Sequence, residues 1–265
     1  MQQKTITYKG KTVAYNIAGS GRVVVLVHGF GEDGAIWQQQ VKALQNSFTV
    51  VVPHLPGSGA SALQADMSME GLADSVEAVV RAEGIAECVM IGHSMGGYVT
   101  LAFAERHKRV LKGFGLFHST AFGDSDEKRQ TRQKGIDFIK QHGAHAFLKT
   151  TIPNLYGPAT KQTAPTLIEE HLASVSYFTD AALINYYQAM MARPDRMAVL
   201  KETLLPVLFV LGRHDAAVPP EDGWKQAHVP QKSYIHMLNN SGHMGMLEEV
   251  ETTNTLLNEY LHQTL

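Results

Sequence analysis

Short apolar runs alternate along this chain with longer segments whose apolar residues recur at helical spacing. An unbroken run such as Val23–His28 is typical of a strand that is covered on both faces. The predicted strands are Val23–His28, 48–54, 87–93, 110–119, 206–215 and 233–240. The predicted helices between and after them are residues 34–46, 68–83, 95–107 and 246–263.

The order of these segments predicts the fold class. Strands that alternate with helices indicate an α/β fold, with a mostly parallel sheet and helices on both of its faces. Two segments of alternating polarity, residues 6–10 and 11–19, predict an antiparallel hairpin at the start of the chain. Residues 121–203 contain helical patterns and no strand pattern. We therefore predict a helical insertion, residues 121–203, between two parts of one α/β domain, residues 1–120 and 204–265.

Charge and composition argue against several classes of function. The 265 residues have a formal net charge of −2, whereas proteins that bind nucleic acid or anionic membranes usually carry a basic patch. Cys88 is the only cysteine, so no disulfide can form within the chain. No apolar run resembles a secretory signal or approaches the ~18 residues of a membrane span. We expect a soluble, cytoplasmic protein with a small-molecule substrate, and with neither nucleic acid nor membrane as a partner.

One pentapeptide carries the strongest chemical signal in the chain. The sequence GHSMG, residues 92–96, follows the apolar run 89–91 and precedes a helical segment. A strand that turns into a helix within one residue forces positive φ on that residue and leaves no space for side chains beside it, which explains the two glycines. The turn exposes the Ser94 hydroxyl at the positive end of the following helix. A plain turn between strand and helix would also suit GHSMG, but its position after a buried strand favours a nucleophile.

A serine nucleophile requires a base and a third group that orients the base. In enzymes with this motif, the acid and the histidine follow the serine at the ends of later strands. Asp215 and His243 occupy such positions, and we predict them as acid and base. Asp124, just after another predicted strand, is the alternative acid. Glu248 and Glu249 are predicted to face solvent or to complement the first turn of the last helix.

The remaining requirement is an oxyanion hole with two backbone N–H groups. The sharp turn at Ser94, called the nucleophile elbow, supplies the first of these groups, the N–H of Met95. The second is predicted in the loop HGFGEDGAIW, where Gly29 and Gly31 would let the N–H of Phe30 turn inward, although a plain strand–helix turn is the alternative.

Further contacts with substrate are predicted for His118 and Met244, which lie after a strand and after the predicted base. The histidines lack the spacing of metal ligands, so we predict no metal and no organic cofactor.

Six sequence blocks together resemble the α/β-hydrolase superfamily over nearly the whole chain. The blocks are HGFGEDGAIW, LPGSGAS, GHSMGGYVTLAFA, MMARPDRMAVLKE, PVLFVLGRHDAAVP and SGHMGMLEE. The resemblance implies the α/β-hydrolase fold, with residues 121–203 as a helical cap over the active site. It also implies a catalytic triad of Ser94, Asp215 and His243, with Phe30 and Met95 as the oxyanion-hole donors.

The resemblance also narrows the chemistry. A serine nucleophile argues against dehalogenases and epoxide hydrolases, which use an aspartate. Carbon–carbon hydrolases share the SMGG elbow, but they usually have tryptophan where this chain has Met244. We expect a serine esterase of short to medium acyl chains that needs no cofactor. The alternatives are a carbon–carbon hydrolase or lactonase with the same triad, and a ligand-binding receptor that keeps the fold.

Overall fold

A computed structural model describes residues 1–265 of the chain, and its elements follow the hydrophobic pattern closely. The strands are β1 (Gln2–Tyr8), β2 (Lys11–Ala18), β3 (Val23–Val27), β4 (Thr49–Pro53), β5 (Cys88–His93), β6 (Leu111–Phe117), β7 (Val207–Gly212) and β8 (Ser233–Leu238). The helices of the first 120 residues are α1 (Gln38–Leu44), α2 (Met69–Ala82) and α3 (Met95–Arg106). The middle of the chain forms α4 (Asp126–His142), α5 (Ala144–Thr151), α6 (Pro158–Thr163), α7 (Pro165–Ser174), α8 (Asp180–Ala192) and α9 (Met197–Glu202). The last helices are α10 (Pro220–Ala227), α11 (Gly245–Glu248) and α12 (Val250–Thr264).

The eight strands form one sheet in the order β1-β2-β4-β3-β5-β6-β7-β8. β1 and β2 form the predicted antiparallel hairpin, and β2 also pairs antiparallel with β4. The six strands from β3 to β8 are mutually parallel. Every residue of β5 and β7 is buried. The predicted α/β-hydrolase fold, with its mostly parallel sheet, is therefore confirmed.

Parallel pairing brings the carboxyl ends of four strands to one edge of the sheet. β5 lies between β3 and β6, and β7 lies beside β6. The loops that follow β3, β5, β6 and β7 therefore meet at this edge, which is where open α/β sheets bind their ligands.

Only helices lie between β6 and β7. The helices α4 to α8 cover the carboxyl edge of the sheet, and the hydroxyl of Tyr186 on α8 donates a hydrogen bond of 2.7 Å to the carbonyl of Pro56 in the core domain. The predicted cap boundaries, residues 121–203, are close to the span of the helices α4 to α9, residues 126–202. The division into residues 1–120, 121–203 and 204–265 remains a prediction.

Two helices differ from the sequence-based expectation. The sequence pattern predicted no helix at residues 220–227, but this segment forms α10, which begins at Pro220, because proline suits the first turn of a helix. The predicted final helix is divided at Glu249, whose backbone has the non-helical angles φ −128° and ψ 61°. The carboxylate of Glu249 accepts hydrogen bonds from the N–H of Asn240 and the hydroxyl of Ser241. None of the helices combines the length and apolar composition that crossing a membrane requires.

Candidate active site

Ser94 occupies a strained turn of one residue between β5 and α3. Its φ of 51° and ψ of −117° lie in a region that residues with a side chain rarely adopt. A Cβ on Gly92 would overlap the carbonyl of Gly96, and a Cβ on Gly96 would overlap the carbonyl of Val27. The two glycines are therefore required because the backbones of β3, β5 and α3 approach each other closely at the serine.

Asp215 and His243 come together at the carboxyl edge of the sheet. The Nδ1–H of His243 donates a hydrogen bond of 2.7 Å to Oδ2 of Asp215, and both residues are buried. The other oxygen of Asp215 accepts the N–H groups of Ala217 and Val218 at 2.8 and 2.9 Å. Burial opposes ionisation of Asp215, but the charge of His243 and hydrogen bonds from His243 and His118 hold its pKa well below the usual range.

Asp124, the alternative acid, has different partners. Its carboxylate accepts a hydrogen bond of 2.6 Å from Arg132 and lies 2.8 Å from a guanidinium nitrogen of Arg193. Burial opposes its ionisation, but these two arginines lower the pKa of Asp124 overall. Asp124 therefore neutralises arginines and makes no contact with His243.

The hydroxyl of Ser94 makes no hydrogen bond within the protein, although Ser94 and His243 line the same cavity. Because Nδ1 of His243 is bonded to Asp215, its Nε2 is the nitrogen left for the serine. Hydrogen bonds of catalytic groups are often completed only when substrate binds.

His118 and Met244, which were predicted to contact substrate, lie outside the cavity over Ser94. His118 is fully buried behind the acid, with its Nδ1 3.1 Å from Oδ2 of Asp215, and burial lowers its pKa to about 4. Met244 is fully buried in the hydrophobic core. Neither residue lines the cavity that contains Ser94, because the ring of His118 lies against Asp215 and the side chain of Met244 packs in the core.

His118, Asp215 and His243 also lie close enough together to be considered as metal ligands. Hydrogen bonds to one oxygen of Asp215 already occupy a nitrogen of each histidine. We interpret the cluster as a hydrogen-bonded acid and base, and the absence of a metal remains a prediction.

The two predicted oxyanion-hole donors have unoccupied N–H groups. Met95 is the first residue of α3, so its N–H has no partner in a preceding turn. The N–H of Phe30 makes no hydrogen bond within the protein, and its ring lines the cavity and stacks on Tyr187 of α8 with 4.4 Å between ring centroids.

A buried ion pair between Glu32 and His93, which no sequence pattern predicted, supports the loop that carries Phe30. Oε2 of Glu32 accepts the N–H of Gly29 at 2.8 Å and lies 2.9 Å from Nδ1 of His93, whose Nε2 lies 2.9 Å from the carbonyl oxygen of His243. Burial opposes both charges, but their attraction and hydrogen bond lower the pKa of Glu32 to about 2 and raise that of His93. The hydrogen-bonded pair of Glu32 and His93 thus connects the loop of Phe30 to the loop of His243, the predicted base.

Glu248 makes a second connection between distant segments, which no sequence pattern predicted. It was expected to face solvent or complement a helix end, but its Oε2 accepts hydrogen bonds of 2.7 Å from the cap residues Gly157 and Thr160. Its Oε1 accepts the N–H groups of Gly242 and Met244, on either side of the predicted base, at 2.8 and 3.2 Å. One carboxylate therefore joins the cap to the loop of His243.

A cavity of about 280 Å³ lies over Ser94 and His243. The cap contributes mainly apolar walls, from Leu148, Ile152, Leu155, Tyr187 and Met190. The core domain contributes Phe30, Tyr98, Ala216, Ala217 and Val218. The polar side chains of Glu32, Lys128, Thr131, Arg132 and Thr151 complete the lining. The lining therefore offers apolar surface beside the serine, together with several hydrogen-bonding and charged groups.

Comparison with known proteins finds hydrolases that are similar to this chain in sequence and in fold. A pimeloyl-(acyl-carrier protein) methyl ester esterase of Vibrio cholerae is 28% identical over 244 residues, which cover 89% of this chain and 93% of the relative. The malate-bound structure of a thermophilic esterase from Thermogutta terrifontis has a TM-score of 0.93 and 28% identity, and the match covers 100% and 99% of the two chains. An enol-lactonase from Burkholderia xenovorans has the same fold, with a TM-score of 0.90, 22% identity and coverage of 98% and 100%.

The model of the alpha/beta hydrolase family matches residues 24–254, which include every predicted catalytic residue. The Vibrio cholerae relative and the Thermogutta terrifontis protein are both named esterases, so the expectation of an enzyme is confirmed. The chain belongs to the alpha/beta hydrolase family and is a hydrolytic enzyme.

Proposed function

We propose that this hydrolase cleaves carboxylic esters of short to medium acyl chain through an acyl-enzyme on Ser94. The proposal rests mainly on one observation. Asp215 holds Nδ1 of His243 at 2.7 Å, and this histidine lines the same cavity as the strained Ser94. The Vibrio cholerae and Thermogutta terrifontis proteins are both named esterases, which supports an ester as the bond that is cleaved.

The reaction proceeds in two halves. Ser94 attacks the ester carbonyl while Nε2 of His243 takes its proton, and Asp215 stabilises the resulting imidazolium. The N–H groups of Phe30 and Met95 stabilise the oxyanion. The C–O bond to the alcohol then breaks, and His243 returns its proton to the departing oxygen. In the second half a water, activated by His243, attacks the acyl-enzyme, and the carboxylic acid leaves with Ser94 restored.

The size of the cavity supports the proposed acyl length. Each methylene that is buried against the apolar walls gains roughly 0.8 kcal/mol, or about fourfold in kcat/KM when the gain is realised in the transition state. A cavity of about 280 Å³ beneath the cap allows this gain for few methylenes. Longer chains then meet the cap or remain in water.

Turnover of p-nitrophenyl esters from acetate to palmitate tests the proposal. We expect kcat/KM to rise to about butyrate or hexanoate and to fall by laurate. Ser94→Ala should reduce kcat on the order of 10⁴-fold or more, because residual rate comes only from the oxyanion hole and binding. A fluorophosphonate should label the wild-type chain once, at Ser94, and the exposed Ser20→Ala variant should behave like wild type.

Two results would count against different parts of the proposal. If Ser94→Ala kept more than about a tenth of the wild-type kcat, Ser94 would not be the nucleophile. A steady rise through palmitate would retain the serine mechanism but exclude a closed acyl site.

A further inference from the structure

The wall of the cavity beneath α4 carries two cationic side chains, Lys128 and Arg132. They lie four residues apart on α4, so they project from the same face of the helix, and both line the cavity that contains Ser94 and His243. On the basis of the proposed ester hydrolysis, we infer that Lys128 and Arg132 form a subsite for a carboxylate on the substrate, remote from the ester that is cleaved.

Arg132 is held in place with part of its guanidinium unoccupied. Its Nε donates a hydrogen bond of 2.6 Å to Asp124, its carbon Cζ lies 5.5 Å from the ring centroid of Tyr187, and its side chain is 13% exposed. Its Nη2 is 3.4 Å from the other Asp124 oxygen, whereas Nη1 has no hydrogen-bond partner in the protein. A fixed guanidinium with a free N–H edge is suited to a planar carboxylate.

The positive charge at this wall is not balanced by the protein. Asp124 is shared between Arg132 and Arg193, so one carboxylate faces two guanidinium groups. The ammonium group of Lys128 makes no ion pair, and the only hydrogen bond that it donates within the protein, of 3.0 Å, goes to the carbonyl of Ala217. Since an ammonium group has three donors, two remain for a ligand.

The one carboxylate that lines the cavity does not compensate for this excess. It belongs to Glu32, which is bonded to His93 and to the N–H of Gly29. A neutral substrate would take the two cations out of water without giving them a partner, which is unfavourable. A substrate carboxylate would instead receive charge-assisted hydrogen bonds from both.

Matched esters with and without a carboxylate test this subsite. The anionic series is the monomethyl half esters of succinate, glutarate, adipate and pimelate, and the neutral series is the methyl esters of the unbranched acids with the same numbers of carbons. At the best length we expect kcat/KM for the half ester to exceed that of its neutral counterpart by about 10- to 100-fold. A second pair, butyl butyrate and the butyrate ester of 4-hydroxybutanoate, places the carboxylate on the alcohol side. A preference for the anion in either arm supports the subsite and identifies its side.

Variants on α4 attribute the preference to its source. Lys128→Met should lower the ratio of anionic to neutral kcat/KM about tenfold, and Lys128→Glu should lower it further. Lys134→Met is the matched control, because Lys134 is exposed on the same helix and does not line the cavity. It should leave the ratio unchanged.

The possible failures are distinguishable. If both series are hydrolysed with equal kcat/KM and Lys128→Met leaves the ratio unchanged, the carboxylate subsite is wrong and the esterase proposal stands. If no ester is turned over, the proposed function is wrong, and calorimetric titration with adipate tests the subsite alone. Binding that Lys128→Met weakens about tenfold would then support the anion site, and the absence of binding would overturn it.

Discussion

The carboxylate of Asp215 serves two histidines through a single oxygen. His243 and His118 both approach Oδ2, at 2.7 and 3.1 Å, while two backbone N–H groups occupy the other oxygen. The carboxylate of Asp215 fixes the orientation of the His243 ring, and His118 together with the two backbone N–H groups fixes the orientation of the carboxylate. It also makes Asp215 sensitive to replacement, because every position around the carboxylate is occupied by a donor.

We predict that Asp215→Asn and Asp124→Asn affect different properties. Asp215→Asn places an amide N–H against a ring N–H, so His243 loses the tautomer that leaves Nε2 basic, and kcat should fall on the order of 10⁴-fold. Asp124→Asn leaves Arg132 and Arg193 without a counter-charge, so it should lower the melting temperature while kcat per folded molecule falls far less. Assays with p-nitrophenyl butyrate at a known concentration of folded protein measure kcat, and thermal denaturation followed by circular dichroism measures the melting temperature. The reverse ranking of the two kcat values would make Asp124 the acid.

At the scale of elements, α11 connects the cap to the catalytic edge. Glu248, the last residue of α11, accepts two hydrogen bonds from the cap and two from the loop around His243. The carbonyl of Leu155 in the cap also accepts the N–H of His243, at 2.6 Å. The position of the predicted base therefore depends on cap elements that are almost a hundred residues away in the sequence.

We predict that Glu248→Gln displaces His243 without unfolding the enzyme. Glutamine replaces one of the two acceptor oxygens with an NH₂ group, which would face N–H or O–H donors. The hydrogen bonds either to the cap or to the loop of His243 should therefore break, at a cost of about 1–3 kcal/mol in stability. Small displacements of a catalytic group are costly, and kcat/KM should fall about 10- to 100-fold. Glu251→Gln, exposed in the first turn of α12, is the control and should behave like wild type. Wild-type kcat/KM in Glu248→Gln, with only a lower melting temperature, would show that the connection is purely structural.

For the molecule as a whole, the sequence predicted those features that depend on local pattern. The strands, the elbow at Ser94 and the loop positions of Asp215 and His243 follow from apolar runs and from residues at strand ends. Glu32 and Glu248 could not be identified in this way, because their partners come from distant segments and an isolated glutamate has no recognisable pattern. His118 was misplaced for the same reason: its position after a strand is local, but the packing that turns its ring toward Asp215 is not.

Buried neutral histidines link the stability of the whole fold to pH. His28 is fully buried, and its Nε2 accepts the N–H of Leu55 at 2.9 Å, so this nitrogen carries no proton. Its Nδ1 lies 2.9 Å from the carbonyl of Gly29 and donates to it. Burial lowers the pKa of His28 to about 4 and that of His118 likewise to about 4. Protonation of either ring would place a charge in the interior of the protein.

We predict that the free energy of unfolding decreases as the pH falls from about 6.5 to 4. A histidine whose pKa is depressed in the folded state binds its proton more readily when the chain is unfolded. Its contribution to stability is therefore complete above the pKa of the unfolded state, about 6.5, and is lost as the pH falls to the pKa of the folded state. His93 has a raised pKa and acts in the opposite sense, since its contribution is present below about 6.5 and is lost at higher pH. Between pH 6.5 and 4 the contribution of His93 therefore stays nearly constant, and the loss of stability comes from His28 and His118, each on the order of 3 kcal/mol over this window. Urea denaturation at a series of pH values measures the slope, and His28→Gln should make it shallower by up to one proton per molecule. A free energy of unfolding that is level from pH 6.5 to 4, or an unchanged slope in His28→Gln, would contradict the assignment of a neutral, buried His28.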